Sequence, residues 1–319
     1  MGAAAWSVGL GSCASDSTRW DAVRVQGEEL AVEFRPSIDR FTYIGPVDKA
    51  GPNLLFVQKQ HDAPAPDESY TFFGGCYTWI APQNAVGGRL GWRDAQGAAR
   101  GWPPDPAMDI GPTRVERISN HELRMESPVN RMGLREIKEF RIDGAATGSL
   151  DFRIQNTTDG IVTAGPWVNT AVAPGSVIAV RMTPQTPVWG WNDESVSRFR
   201  SLAAPVERSG WTIIEPDKAD WDGGIKVYLD TPAEIAIWRD GYWLHRRQLN
   251  ADDGRLRALG EGPVAVYIQP ARGADVAIVE AELYGAIADI APLADHTGTE
   301  RWTLIPSATP DVWALPRAR

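Results

Sequence analysis

Glu280 and Glu282 stand two residues apart in the stretch Val276 to Leu283, VAIVEAEL. Read as a strand, this stretch puts Val276, Ile278, Glu280 and Glu282 on one face and Ala277, Val279, Ala281 and Leu283 on the other, because side chains alternate along extended backbone. The two carboxylates then share a face, with Cα atoms ~6.6 Å apart, and both reach a ligand lying above the sheet. In a partly dry cleft such a pair splits its pKa values, so that one group serves as base and the other as acid. Such a division serves any reaction that takes a proton from one atom of a substrate and gives one to another. Alternating charge on a strand also marks an ordinary solvated face, and the sequence leaves both readings open.

The remaining chemistry-bearing residues are scattered. Of the four histidines, His61, His121, His245 and His296, none has metal-cluster spacing, and no metal or cofactor is implied. His296 falls in a polar turn, Ala294 to Thr299, between Glu282 and Glu300, where it is the best placed acid; His121 is a second candidate at the ligand. A turn or strand-edge position accounts for either one equally simply. Trp79, Trp167, Trp189, Trp191 and Trp221 are candidates for stacking on a pyranose, with Trp79 and Trp167 foremost, while most tryptophans in a sandwich fill core. Gln83, Asn169, Arg131, Arg135 and Lys226 are the amides and fixed donors suited to sugar hydroxyls. Ser/His/Asp triads, HExxH motifs and phosphate-binding glycine loops are absent, since no helix start follows Gly74-Gly75.

The elements that must carry these residues read as strands. The chain has 319 residues with 14 Trp, 31 Gly and 24 Pro, a mixture that favours strands and long loops over helices. Leu30 to Arg35 alternates apolar and polar residues; Leu134 to Ile142, Leu150 to Gln155, Ile225 to Leu229, Glu234 to Arg239 and Val264 to Gln269 are further strand-like runs between turn signals. Leu54 to Val57 reads as a short strand, Gln83 to Pro112 as a long loop rimming the binding face, and Pro184 to Asp222 as irregular. No amphipathic run at helical period exceeds two turns. The expectation is an all-β chain, one domain over residues 23–306 with about 15 to 20 strands in a large antiparallel β-sandwich, flanked by a flexible segment 1–22 and a C-terminal tail 307–319.

Several blocks, in order and spacing, resemble the galactose-mutarotase-like supersandwich, and within it a bacterial domain family of unknown function. They are Gly74-Gly75-Cys76-Tyr77-Thr78-Trp79-Ile80-Ala81-Pro82-Gln83, Ile154 to Asp159, Ala164-Gly165-Pro166-Trp167-Val168-Asn169-Thr170, Val279 to Gly285 with Ile290-Ala291-Pro292, and Thr299 to Trp302. The resemblance spans roughly residues 23 to 306 and implies a concave sheet that binds a mono- or oligosaccharide, as in aldose 1-epimerases. Where true mutarotases carry a His-x-Tyr-Phe motif with an acid histidine, this chain reads Trp167-Val168-Asn169-Thr170. That departure favours a non-catalytic carbohydrate-binding or structural module as the alternative to a carboxylate-based epimerase. A polysaccharide lyase or hydrolase is the third reading.

The formal net charge of −9 argues against nucleic acid, whose binding needs a basic footprint, and no apolar run is long enough to span a membrane. Leu10-Gly11-Ser12-Cys13 resembles a lipobox, which implies a lipid anchor at Cys13 and a periplasmic or cell-envelope location. The short apolar region with no Lys or Arg before it departs from a normal export signal; the other reading is a frayed terminus on a cytoplasmic protein.

Overall fold

The computed structural model describes residues 22–48, 50–58, 71–83, 92–93, 99–100, 105–251, 254–271 and 277–317. Cys13, His61 and Val276 lie outside them. Two ten-stranded antiparallel sheets dominate the described fold, with a two-stranded ladder of Trp92–Arg93 and Ala99–Arg100 and a short helix Pro106–Asp109 inside the stretch read from sequence as a loop. The first runs, in spatial order, through Val23–Gln26, Leu30–Arg35, Arg40–Pro46, Cys76–Ala81, Val162–Ala171, Ile278–Tyr284, Val264–Gln269, Ile225–Leu229 and Val188–Gly190, with Ala288–Ile290 paired to Val162–Ala171 off this path. The second includes Val177–Arg181, Glu234–Arg239, Tyr242–Gln248, Asp295–Pro306, Thr147–Asn156 and Leu134–Ile142. The chain is the all-β, antiparallel sandwich expected.

Strand alternation decides which side chains enter the space between the sheets. Val168, Leu244, Trp302, Leu304, Phe140 and Leu150 meet in one buried cluster, and Ala281, Leu283, Val264, Val266, Ile235 and Ile237 in another. Their neighbours one residue along the site strands, Trp167, Tyr284 and Ala265, point to the outer face of the first sheet and belong to a third cluster, which wraps the sheet edge to Ile80, Leu134 and Ile154. A shift of one residue would exchange the two sets, so the apolar pattern fixes the register.

Three further local expectations change. The polar run from Asp295 is the start of a 12-residue strand, Asp295–Pro306, paired with Thr147–Asn156; its Asp, Thr and Gly residues occupy a ladder whose outward positions face solvent, where polarity carries no turn signal. Leu54 to Val57 forms isolated bridges at Leu55 and Val57 and no full strand. The irregular stretch contains a ten-residue helix, Asp193–Leu202, started by Asn192, whose side chain accepts from Ser195 N. With only Ser195 and Phe199 buried, its apolar stripe is too thin to read by periodicity; the Asn cap followed by Asp193 and Glu194 was the legible signal.

Residues 307–317 pack against the outer face of the second sheet, burying Val312 and Leu315 against Trp211 and Trp243, with Trp238 Nε1 donating to Ser307 O at 2.9 Å. Among the described residues no helix is long and apolar enough to cross a membrane.

Candidate functional site

Ladder pairing across the first sheet lays out three rows on its outer face. Trp79, Trp167 and Tyr284 form the first row. Tyr77, Asn169, Glu282, Ala265, Tyr228 and Trp189 form the second. Glu280, Tyr267 and Lys226 form the third. Directly opposed side chains in such ladders sit about 5 Å apart, so these residues, distant in sequence, become one surface.

The rows are held from behind. Arg246, fully buried in the second sheet, pairs with Glu300 at 2.5 Å. Its Nη1 donates to Thr170 Oγ1 and, at 3.4 Å, to the carbonyl of Ala281, the residue between the two glutamates.

Glu282 is the hub of the face. Its Oε2 accepts from Trp167 Nε1 at 2.7 Å and Tyr284 Oη at 3.0 Å and pairs with Lys226 Nζ at 2.8 Å. Lys226 Nζ also donates to Gln83 Oε1 at 2.7 Å and Tyr284 Oη at 3.3 Å. Burial works against the ammonium, but the charge and hydrogen bond of Glu282, with Tyr228 and the Glu280 charge, together outweigh it and hold the Lys226 pKa above its ordinary value. Both partners are buried, so this is a closed, mutually satisfied pair.

Glu280 is in a different state. It is half-buried, and its Oε1 accepts from the Tyr77 hydroxyl. Burial, then the Glu282 charge, push its pKa up to about 7, against the Tyr77 hydrogen bond and the charges of Lys226 and Arg40. Arg40 lies over the Tyr77 ring at 3.8 Å and bonds Asp109 at 2.5 Å; Asp109 also accepts from Trp79 Nε1 at 3.1 Å. Asn169, fully buried between Tyr77 and Glu282, has both carboxamide atoms without a hydrogen-bond partner, an arrangement that costs about 1–3 kcal/mol.

The structure thus brings together Glu280, Glu282, Trp79, Gln83, Trp167, Asn169 and Lys226. Trp79 and Trp167 are each only 2% exposed and pack edge to face at 5.0 Å; they are floor under the site and not an open platform. The remaining candidates lie elsewhere. His296 bonds the carbonyl of Ala286 at 2.7 Å. His121 is in an exposed turn, against Gln26 O at 2.6 Å. Arg135 alternates with the inward Leu134 and Glu136, so it points away from the first sheet, and pairs with Glu126 at 3.1 Å. Arg131 is exposed between Glu122–Glu126 and Leu134–Ile142, its backbone N–H donating to Asp105. Trp221 packs at the margin of the inter-sheet core, 5.5 Å from Arg198.

Tyr77, Tyr284, Tyr228 and Tyr267 complete the face and were not singled out from sequence. The signal was available: Tyr284 is two residues beyond Glu282, and Tyr228 two beyond Lys226, the spacing that shares a strand face. Among the described residues no cluster of three or more His, Cys, Asp or Glu could hold a metal ion.

Two carboxylates with pKa near 7 make stability depend on pH. Glu136, between the sheets, is pushed up to about 7 by burial, with Lys138 opposing and Asp39 adding to the rise. For Glu280 and Glu136 alike the folded pKa exceeds the ordinary 4.5, so between these values the folded state holds protons the unfolded chain has released. Their stabilising contribution is complete below pH 4.5 and lost as pH rises to about 7, on the order of 3 kcal/mol per group. Urea unfolding should therefore give greater stability at pH 5 than at pH 8, with the difference reduced in Glu136→Gln. Equal stabilities would contradict the assigned protonation.

No protein-family model and no curated protein sequence matches the chain. Among solved structures, it is similar to a galactose mutarotase-like protein from Lactobacillus casei at TM-score 0.55 and 8% identity, covering 89% of this chain and 100% of that one. A galactose mutarotase related enzyme from Lactobacillus acidophilus aligns at TM-score 0.51 and 9% identity, over 91% and 99%. A TPR-domain containing protein from Parabacteroides distasonis aligns at TM-score 0.55 and 11% identity, over 94% of this chain but 49% of that one. The chain has the galactose mutarotase-like supersandwich fold.

Proposed function

We propose that the outer face of the first sheet binds a carbohydrate and exchanges protons at its anomeric centre, as an epimerase-type enzyme with Glu280 as base. The observation that supports this reading best is the contrast between the two glutamates: Glu282 is anchored by three donors, whereas Glu280 is half-buried with a pKa near 7, the range that serves proton transfer at neutral pH. Glu280 takes the anomeric hydroxyl proton as the C1–O5 bond breaks and its electron pair goes to O5. The protonated Glu280, held by the Tyr77 hydroxyl, then delivers that proton to O5, rotation about C1–C2 presents the other aldehyde face, and reclosure runs the same two transfers in reverse. Lys226, its charge spent on Glu282, fixes Gln83 and the aromatic floor. The unpartnered carboxamide of Asn169, buried between Tyr77 and Glu282, supports a hydrogen bond relayed to the ligand through those neighbours.

A non-catalytic carbohydrate-binding module is the second reading, favoured by the histidine-free composition of the three rows. NMR exchange spectroscopy on a panel of aldoses and uronic acids separates the two. Binding with accelerated anomeric exchange supports the enzyme, binding without it the module, and absence of binding removes carbohydrate from the account.

A further inference from the structure

The accessible part of the site is off-centre. Trp79, Trp167, Tyr77, Tyr228 and Tyr284 are all buried, whereas Glu280 and Tyr267 keep partial exposure and Trp191 is 56% exposed. Trp189 pairs with Tyr228 and Gly190 with Val227, so Trp191 continues the alternation opposite Lys226, and its backbone N–H donates to Lys226 O. It therefore stands on the same outer face, in the row Glu280, Tyr267, Lys226, Trp191, with its ring edge-on to Tyr267 at 5.8 Å. An indole this exposed at the end of a row that begins with the reactive carboxylate is an exception to the burial that large aromatics otherwise show on this face.

Length decides what can use it. Three strand spacings, ~14 Å, separate the Glu280 backbone from the edge that carries Trp191. The Trp191 ring leans back to within 5.8 Å of Tyr267, the ladder partner of Glu280, which leaves a span of roughly 10 Å, whereas one pyranose ring is on the order of 5 Å across at ordinary C–C bond lengths. A monosaccharide with its anomeric carbon at Glu280 ends short of Trp191. Beside that edge, a cleft of about 500 Å³ between Val188–Gly190 and the Asp193–Leu202 helix is lined by Val188, Trp189, Asn192, Asp193, Ser197 and Arg200.

Resting on the carbohydrate reading above, we infer that the ligand is an oligosaccharide of at least two or three units, with its reducing end at Glu280 and a distal ring stacked on Trp191. The three rows act on the terminal unit; Trp191 selects for chain length.

Isothermal titration of the full chain with glucose, galactose, and the cello-, malto- and galacto-oligosaccharides of two to four units tests this. In one series affinity should rise about tenfold or more from one unit to three, the worth of one well-placed aromatic contact, and Trp191→Ala should collapse that ratio toward one. Trp313→Ala, which removes another exposed tryptophan (49%) packed beyond the second sheet, should preserve it. Affinity independent of length, or a length dependence untouched by Trp191→Ala, would overturn the subsite and leave the anomeric site standing. Absence of binding by every saccharide would overturn the carbohydrate reading and this inference with it.

Discussion

Glu280→Gln should lower the rate of anomeric exchange by about 10² to 10⁴-fold, the usual contribution of a positioned general base, with little change in saccharide affinity. The amide keeps the shape of the side chain and still accepts from the Tyr77 hydroxyl, but it cannot take up a proton at neutral pH. In the unsubstituted protein kcat/KM should climb with pH through about 7, where Glu280 ionises, and level off above it. The variant should lose that inflection along with the rate. Because Gln at this site also removes a group whose pKa is raised by burial, the variant should be no less stable than the parent at pH 8. Full exchange activity in a folded Glu280→Gln protein would take Glu280 out of the mechanism.

The second large effect concerns stability. Lys226→Met leaves the Glu282 carboxylate, 1% exposed, without its cation, and breaking one side of a buried pair costs about 3–5 kcal/mol. The double variant Lys226→Met/Glu282→Gln removes both charges and should recover a large part of that loss, so the pair shows a strong coupling in a double-mutant cycle. Lys226 is also one of the charges that hold the Glu280 pKa down; its removal should move the Glu280 titration above 7. Additive losses in the cycle would mean that Glu282 is satisfied by Trp167 and Tyr284 alone.

Much of the fold was legible because each strand obeys period two and the turns are marked by Gly, Pro, Asn and Asp. Leu30–Arg35, Leu134–Ile142, Ile225–Leu229, Glu234–Arg239 and Val264–Gln269 coincide with runs read from the sequence. The polar start of Asp295–Pro306 was hidden because an outer-strand position can be as polar as a turn, and the Asp193–Leu202 helix because it buries only two residues. At the site, alternation placed Glu280 and Glu282 on one face, but it says nothing of which neighbours a strand acquires. Pairing of Val162–Ala171 with both Cys76–Ala81 and Ile278–Tyr284 brings Tyr77 and Trp167 one row away from Glu280 and Glu282, where their hydroxyl and indole N–H reach the carboxylates diagonally, and so makes two chemically identical residues unequal. The same long-range pairing separates His296 and Arg135 from the face, for both belong to strands of the second sheet.

The central claim, that Glu280 titrates near neutrality and meets carbohydrate, is tested most directly by carboxyl-carbon NMR of ¹³C-glutamate-labelled protein, assigned with Glu280→Gln. The signal should titrate with a midpoint near 7 and shift when a bound saccharide is added, together with the Trp191 indole N–H. A midpoint near the ordinary 4.5, or a signal that ignores a saccharide shown to bind, would contradict it.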